Sequence, residues 1–531
     1  MTERISGVFA PISALPSTHG IGDMGPDARA FADALSDGGQ RIWQVLPLAE
    51  PGNPANSPYD NHSGFALNKW LVSPDDLVAQ GLLAPDDVNA ARPTGLAGAS
   101  DAVDYGVMQR WKGPLLDRAA DNLLARAARD PELAGRLAAF EERNAAWLDD
   151  FVAFMHLKHR NAGAPEPTMS RSTWPLRDRA AATAALPERP THEMRRTVAQ
   201  QFIADEQWTR LREHAQSRGL RMMSDLPFYE GDDGVAAWRR PELFELDDQL
   251  RATHVGGAPP EPAFPAGQAW GMPSYRGADK AALLEHFAAR IEHEARRVGP
   301  GGLVRIDHLL GAAEPYAVDL DDATRSSFRE LFSGAEWKAL QARFPDVQFV
   351  GEDLGELTAG RRAFMEELDP SRMRVGLQAL LESPDDLTAS AHFADNVSPR
   401  DVIFTGGTHD YPFVKTYLAD NWDTPAVQGL REVLADRGLA GSGSLDDAAR
   451  GAMQLNMDAP AGTAITQVFD VLGMGGGADV PAHLRAFNVP GTASATNWAT
   501  RIPAAVVEPG SGARAAFVDT MLGMATLARR L

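Results

Sequence analysis

Residues 303–311, LVRIDHLLG, begin like a buried β-strand and end in a glycine. Within them lie Arg305, Asp307 and His308, three polar groups that a buried strand ordinarily avoids. Residues i and i+2 of a strand share a face, so Arg305 and Asp307 are predicted to point the same way. The guanidinium is then expected to keep the neighbouring carboxylate ionised. The alternative, from these residues alone, is a structural Arg–Asp pair that closes a strand end.

Two other strand candidates also end in acids. VQFVGEDLG (347–355) stops at Glu352, and VIFTGGTHDYP (402–412) stops at His409 and Asp410. Each has a simpler interpretation, because acids favour helix N-termini and Asx residues favour turns. Together, three strand ends with a carboxylate indicate glycosidic chemistry, in which one carboxylate attacks the sugar and a protonated one assists the leaving oxygen. Metal binding is the competing use, but a magnesium or calcium site usually gathers its carboxylates more closely, as in a short loop.

Short apolar runs, mostly separated by helical patterns, place these strand ends in one fold. Such alternation predicts a parallel sheet covered by helices, and eight strands suit a closed barrel with its active site at the C-terminal strand ends. The whole chain, 1–531, is therefore predicted to be a single α/β domain, a (β/α)8 TIM barrel with helical and irregular insertions. The predicted strands are 7–12, 41–47, 220–227, 303–307, 347–352, 373–377, 402–406 and 464–471.

Two intervals are too long to be simple connections. Residues 66–205, between the second and third predicted strands, carry apolar residues at helical spacing and are predicted to form a helical insertion. Residues 228–285 are rich in Gly, Pro and Trp and show no sustained period. Because long loops in compact domains are often lids or binding loops, this loop-rich stretch is expected to be an irregular insertion that covers the cleft.

Composition narrows the range of partners. The chain has 531 residues, a formal charge of −21 and no cysteine. The negative charge argues against nucleic acid, and the lack of cysteine excludes disulfides, thiolate catalysis and Cys-ligated zinc. The N-terminus, MTERISGVFAPIS, does not have the pattern of a signal peptide, and no apolar run is long enough to span a membrane. A cytoplasmic protein without membrane contact is expected.

Aromatic side chains near strand ends and in loops suit a sugar ligand, because the apolar face of a sugar ring can lie on an aromatic ring. Burial in the core is the alternative for most of them. Tyr59 and Trp270 are the candidates for sugar contact, since both lie in segments dense with Gly, Pro and polar residues. The full set is Trp43, Tyr59, Trp70, Trp238, Trp270, Tyr275, Tyr411 and Trp498.

Nine motifs follow one another in the order of a known family over most of the chain. They are LPSTHGIGDMGPDARAFADALSDGGQRIWQVLPL, NSPYDNHSGFALN, RGLRMMSDLPFY, AWRRPELFELD, GQAWGMPSYR, LVRIDHLLG, VGEDLG, TGGTHD and NVPGT…NW. In this order they resemble the amylomaltases, bacterial 4-α-glucanotransferases related to the α-amylase clan. The resemblance implies an α-retaining transfer between maltooligosaccharides or other α-1,4-glucans on a (β/α)8 barrel, without metal or organic cofactor.

The resemblance also implies residue roles. Asp307 takes the place of the nucleophile, Glu352 that of the acid/base, and Asp410 that of the transition-state stabiliser. Further positions match sugar-contacting residues of the family: Arg305, His308, His409 and Tyr59 at the donor subsite, Trp270 in the loop over the cleft, and, as weaker matches, Asp233 and Asn488. An α-glucan hydrolase with weak transfer and a non-catalytic carbohydrate-binding barrel are the alternatives.

Three stretches depart from the family pattern. Ser224 stands where a glycine is common, and Tyr411-Pro412 replace an acidic-amide run. An aromatic pair usual before the GQ-W motif is reduced here to Phe264, with Pro262 and Ala263 beside it. An aromatic rim helps to hold an acceptor sugar and to exclude water, so this change leaves open the balance between transfer and hydrolysis.

Overall fold

The computed structural model describes residues 4–52, 56–93, 102–161, 183–184, 186–260, 266–475, 480, 484–492 and 494–531. The strands in this part of the chain are β1 (Ile5–Phe9), β2 (Ile42–Gln44), β3 (Arg221–Leu226), β4 (His254–Ala258), β5 (Gln268–Pro273), β6 (Leu303–Ile306), β7 (Tyr316–Asp319), β8 (Ser327–Phe328), β9 (Gln348–Gly351), β10 (Ser371–Val375), β11 (Val402–Phe404) and β12 (Thr463–Gln467).

Eight of these strands close into a barrel in the order β1-β2-β3-β6-β9-β10-β11-β12, with β12 pairing back onto β1. Every neighbouring pair is parallel. Each of the eight predicted segments overlaps one barrel strand, so the predicted (β/α)8 fold is confirmed. The boundaries differ locally: the last predicted strand, 464–471, ends at Gln467 and continues as the helix Val468–Gly473.

Helices cover the barrel and fill its insertions. Many of them begin at Ser, Thr or Asp residues whose side chains accept a hydrogen bond from the first turn, as Thr191 does from the Met194 N–H at 3.2 Å. The α-helices are Pro26–Asp37, Pro74–Ala79, Pro85–Ala91, Tyr105–Ala127, Pro131–Arg143, Leu148–Asn161, His192–Ser217, Val235–Arg239, Lys280–Val298, Leu310–Ala313, Gly334–Gln341, Ala359–Leu368, Gly376–Glu382, Val414–Asp420, Pro425–Asp436, Leu445–Met457, Val468–Gly473 and Gly512–Leu527. Across the described residues, none of them combines the length and apolar character needed to cross a bilayer.

The interval 66–205 is largely helical where the structure describes it. Buried Leu133, Leu137 and Phe140 line the inner face of the helix Pro131–Arg143, as their spacing predicts. The helix His192–Ser217 runs past residue 205 and ends shortly before β3, so this helix connects the interval to the barrel. Residues 162–182 of this interval lie outside the described residues.

The interval 228–285 contains regular structure that its sequence does not suggest. Strands β4 and β5 pair antiparallel and join β7 and β8 in a four-stranded sheet beside the barrel. The expectation of an irregular excursion is therefore wrong for these residues. A Cβ on Gly257 of β4 would lie 2.1 Å from the carbonyl oxygen of Gln268, so this glycine is what lets the two backbones approach. Residues 261–265, which include Pro262, Ala263 and Phe264, lie outside the described residues.

The seam between β1 and β12 is held from outside by the end of the chain. Arg530 is completely buried, and its guanidinium donates hydrogen bonds to main-chain carbonyls on both sides of the seam. The acceptors are Met457 O at 2.7 Å, Ala459 O at 2.7 Å, Ile5 O at 3.2 Å and Gly462 O at 3.3 Å. One side chain thus ties the C-terminal residues to the first and last barrel strands.

Candidate active site

Arg305 lies at the centre of a carboxylate cluster at the C-terminal ends of β3, β6 and β9. Strand pairing sets Asp225 of β3 level with Arg305 of β6. Nη1 of the buried guanidinium donates to Asp225 Oδ1 at 2.5 Å and lies 3.0 Å from Asp307 Oδ1. Nη2 donates to Glu352 Oε2 at 2.8 Å. Because one guanidinium contacts all three acids, Asp307 and Glu352 lie on the same wall of the barrel mouth.

A tight turn after β6 places His308 beside Glu352. His308 has a left-handed backbone, with φ at 45°, and its N–H donates to Glu352 Oε2 at 2.9 Å. Its ring lies edge-on to Trp270, with centroids 5.0 Å apart. A Cβ on Gly311 would lie 2.6 Å from the imidazole, so the glycine that ends the motif leaves room for this ring. Nε2 of His308 is buried without a partner among the described residues, and burial lowers the pKa of His308 to about 4.

The protonation of the central pair differs from the sequence expectation. Burial raises the pKa of Asp307 well above its usual range, and although Arg305 acts in the opposite direction, it does not outweigh burial. Burial acts on Glu352 as well, but Arg305 and the N–H of His308 outweigh it, so the pKa of Glu352 falls below its usual value. The two carboxyl groups also hydrogen-bond each other. The prediction that Arg305 keeps Asp307 ionised is therefore wrong, because a strand pattern does not show how deeply the acid is buried.

The loop after β11 supplies the third acid. His409 Nε2 lies 3.2 Å from Asp410 Oδ2, and Asn488 Nδ2 donates to Asp410 Oδ1 at 2.6 Å. Burial would raise the pKa of Asp410, but His409 and the hydrogen bonds from His409 and Asn488 outweigh it, and Arg305 adds to the effect. The pKa of Asp410 therefore lies below its usual value, and the group is held as a carboxylate.

Tyr59 joins the two halves of the site. Its hydroxyl donates to Asp225 Oδ2 at 2.7 Å and lies 3.5 Å from Nη1 of Arg305. Its ring stacks on that of His409, with centroids 5.1 Å apart and an angle of 23° between the planes. The segment containing Tyr59 thus contacts both the Arg305 cluster and the loop that carries Asp410.

Most of the candidate residues belong to one contact network. The network contains Asp307, Glu352, Asp410, Arg305, His308, His409, Tyr59, Trp270 and Asn488. Asp233 is the exception, because its Oδ2 pairs with Lys158 Nζ at 2.6 Å and its main-chain oxygen contacts His62 at 3.0 Å. Tyr59 is where the sequence predicts it, in a turn, whereas Trp270 lies on β5 rather than in a loop.

Sequence reasoning missed Asp225. It is 1% exposed and holds both Arg305 and Tyr59. The signal was present, since Asp225 is a carboxylate near the C-terminal end of the third predicted strand. Tyr229 was also missed; its ring stacks on that of His308 at 6.2 Å and lies edge-on to Trp270, with centroids 5.9 Å apart.

A parallel eight-stranded barrel with several acids gathered at its C-terminal mouth is an arrangement found in enzymes that act on glycosidic bonds. Residues 10–506 match the family model described as 4-alpha-glucanotransferase. The chain belongs to the 4-alpha-glucanotransferase family, as its motifs predict, and it is an enzyme of that class.

Individual relatives agree with the family model. The 4-alpha-glucanotransferase of Thermus thermophilus is 31% identical over 522 residues, which cover 96% of this chain and 97% of that protein. The chloroplastic/amyloplastic 4-alpha-glucanotransferase of Solanum tuberosum is 29% identical over 510 residues, with 94% and 82% covered. The structure of the amylomaltase from Streptococcus agalactiae in complex with acarbose has a TM-score of 0.84 at 24% identity and covers 99% of this chain and 100% of that chain. This last likeness supports the fold.

Proposed function

We propose that this enzyme transfers α-1,4-glucan segments between maltooligosaccharides by a retaining double displacement. Asp307 is the nucleophile, Glu352 the acid/base, and Asp410 the carboxylate that stabilises the transition state. The observation that carries this assignment is the guanidinium of Arg305, which contacts Asp307 at 3.0 Å and Glu352 at 2.8 Å. A retaining mechanism requires two carboxyl groups only about 5 Å apart, close enough to act on one bond.

In each of the two displacements one bond to the anomeric carbon forms while another breaks. A carboxylate oxygen of Asp307 forms a bond to the anomeric carbon while the bond to the glycosidic oxygen breaks, and Glu352 gives that oxygen its proton. A hydroxyl of an acceptor sugar then attacks the same carbon and passes its proton to Glu352, while the bond to Asp307 breaks. The configuration is inverted twice and is therefore retained.

This sequence of steps requires a proton on Glu352 and none on Asp307. The pKa values of the two groups are shifted the other way, with that of Asp307 raised and that of Glu352 lowered. Since the two groups hydrogen-bond each other, they titrate as a pair and the proton has a short path between them. We propose that binding of the substrate moves the proton from Asp307 to Glu352. The glycosidic oxygen can accept a hydrogen bond from neutral Glu352, but it has no proton to donate to an ionised Glu352.

The remaining side chains of the network suit a sugar at the donor subsite. His308 presents an unpartnered, buried Nε2, and a neutral imidazole can donate to or accept from a hydroxyl. Trp270 is half-buried and offers an aromatic ring beside His308, whereas the ring of Tyr59 stacks on His409 and its hydroxyl reaches the acid cluster. That the amylomaltase of Streptococcus agalactiae was solved with acarbose supports a sugar ligand of this kind. For Asp233, the ion pair with Lys158 favours an indirect role.

Hydrolysis is the runner-up in the same chemistry and differs only in what resolves the intermediate. Purified enzyme incubated with maltotriose separates the two. Transfer yields glucose together with maltooligosaccharides longer than maltotriose, whereas hydrolysis yields only shorter products. A product mixture without any longer species would contradict the proposal. A non-catalytic barrel would make no products at all.

Location and cofactor dependence remain predictions. Among the described residues, no group of three or more acidic or His side chains is arranged to hold a metal ion. The expectation of a cytoplasmic enzyme without cofactor rests on composition and on the family resemblance.

A further inference from the structure

The loop that carries His409 and Asp410 is held near both of its ends by residues of the last strand and the helix after it. Gln467, at the end of β12, donates from Nε2 to the main-chain oxygen of Thr408 at 3.1 Å. Asp470, in the helix Val468–Gly473, accepts from the N–H of Val414 at 2.7 Å through Oδ1. The side chains of Gln467 and Asp470 are buried, at 0% and 3% exposure, so bulk water does not compete for either hydrogen bond.

The fit around Asp470 leaves no spare volume. A Cβ on Gly406, the residue that opens the loop, would lie 2.4 Å from Val414 Cγ2 and 2.5 Å from Asp470 Oδ2. Behind this contact, the ring of Phe413 stacks on that of Phe469 with centroids 5.1 Å apart. The start of the loop, its end and the carboxyl of Asp470 are therefore in direct contact.

The carboxyl of Asp470 has no other evident use. Its Oδ2 has no hydrogen-bond partner among the described residues, and burial raises the pKa of Asp470 to about 7 although the Val414 N–H lowers it. A buried carboxyl with one oxygen unsatisfied costs free energy unless it supplies something that an apolar side chain cannot. What it supplies here is an acceptor for the N–H at the end of the loop.

We propose that Asp470 is a positioning residue that acts through Asp410: it fixes the end of the loop after β11 and with it the carboxylate that faces the reacting sugar. The inference rests on the role proposed for Asp410. A displacement of a catalytic group by about 1 Å can cost about a hundredfold in rate. Loss of the anchor is therefore expected to act on the chemical step more than on binding of the donor.

The direct test compares Asp470→Ala with Asp470→Asn in maltotriose disproportionation. Asn keeps the acceptor oxygen, and it resembles the neutral form of the acid. Asp470→Ala is expected to lower kcat by about ten- to a hundredfold with KM changed less than about threefold, while Asp470→Asn retains kcat within about threefold. An alanine variant with wild-type kcat, or an asparagine variant as impaired as the alanine one, would overturn the proposal.

If Asp470→Ala does not fold, a second pair of variants tests whether the contact between Asp470 and the loop supports catalysis. Gly406→Ala forces the loop away from Asp470, whereas Gly473→Ala adds the same methyl group to the helix of Asp470 where nothing lies within 4 Å. The proposal predicts a lower kcat for Gly406→Ala alone. Equal kcat values for the two alanine variants would contradict it.

Asp410→Asn serves as the reference variant, because it tests the role proposed for Asp410 separately from the role proposed for Asp470. If this variant keeps full activity, the assignment of Asp410 fails and the role of Asp470 fails with it. If Asp410→Asn is inactive while Asp470→Ala is unimpaired, only the positioning role is wrong.

Discussion

One guanidinium, that of Arg305, contacts three acidic side chains, so replacing any of them changes the contacts of the whole cluster. Asp307→Asn removes the group proposed to attack the anomeric carbon, and we expect kcat to fall by at least about a thousandfold. The fold should persist, because Asn occupies the same volume and burial already favours the neutral acid at this position. Glucose release from maltotriose and the thermal midpoint measure the two effects separately.

Asp369→Asn is the matched control for this substitution. Asp369 is exposed and pairs with Arg400 at the surface, and it has no role in the proposed mechanism. The same change of carboxylate to amide should leave activity unaltered there. A near-normal rate for Asp307→Asn would show that another group forms the intermediate.

Asp225 offers a second prediction at this scale. It accepts hydrogen bonds from Tyr59 at 2.7 Å and Arg305 at 2.5 Å, so Asp225→Asn removes one of the charges that orient the guanidinium. We expect kcat to fall about ten- to a hundredfold, because Arg305 can then turn towards Asp307 and Glu352. Steady-state kinetics check this, and the phenol of Tyr59 provides the control: Tyr59→Phe removes only one of the two contacts and should have the smaller effect.

The residues that sequence could identify were those whose chemistry conflicts with their surroundings. Arg305 and Asp307 stand out because they interrupt an apolar strand, and Asp410 because a His precedes it after Gly-Gly. Asp225 escaped notice because RMMSDLPF contains no His or second acid beside it that would mark a site. The protonation of Asp307 and Glu352 could not be predicted, since it depends on burial and on a hydrogen bond between residues far apart in sequence.

Among the secondary-structure elements, the segment that follows β3 is held by a buried clamp from the helix Lys280–Val298. Arg290 donates to the main-chain oxygens of Phe228 at 2.9 Å and of Pro227, and Glu230 hydrogen-bonds His286 of the same helix. Phe228 and the next residue, Tyr229, both have rings that contact His308. The clamp is itself buried and thus fixes one wall of the candidate site from within the protein.

The carboxylate of Glu230 in this clamp predicts that the stability of the fold depends on pH. Burial would raise the pKa of Glu230, but His286 and Arg290 outweigh it and lower the pKa to about 2 from its usual 4.5. A depressed acid pKa stabilises the fold above about pH 4.5, and this stabilisation is lost as the pH falls towards 2. Between pH 6 and pH 3 the wild type should therefore lose about 2 kcal/mol more than Glu230→Gln, measured by urea unfolding.

The control for this measurement is Glu285→Gln, an exposed carboxylate on the same helix that pairs with Arg343. It should follow the wild type across the pH range. Parallel loss of stability in the wild type and in Glu230→Gln would mean that Glu230 does not carry the effect.

Prediction of the elements succeeded where the residue pattern itself determines the structure. The barrel strands are short, apolar and end abruptly, and all eight were located. Strand β5 was not located, because its sequence, QAWGMP, contains Gly and Pro, which are uncommon in strands. Pairing with β4 is what stabilises this half-exposed segment as a strand. Glycines such as Gly257 suggested a loop, whereas in the structure they permit the close approach of two strands.

At the scale of the whole molecule, Arg530 has a structural task that can be measured. Arg530→Ala removes a buried guanidinium that satisfies four carbonyls around the seam, and we expect the free energy of unfolding to fall by about 3 kcal/mol. Arg529→Ala is the matched control, because the neighbouring arginine is exposed. Urea unfolding of the two variants gives the comparison, and equal midpoints would contradict the role assigned to Arg530.

The seam between β1 and β12 has a consequence for how the protein is made. Among the barrel strands, Ile5–Phe9 is synthesised first, whereas its partner Thr463–Gln467 is synthesised last. During translation the first strand can pair with β2 alone, and one edge of the growing sheet stays open to other nascent chains. The barrel can therefore close only after its last strand has been made, so slow elongation between β11 and β12 prolongs the interval in which aggregation competes with folding.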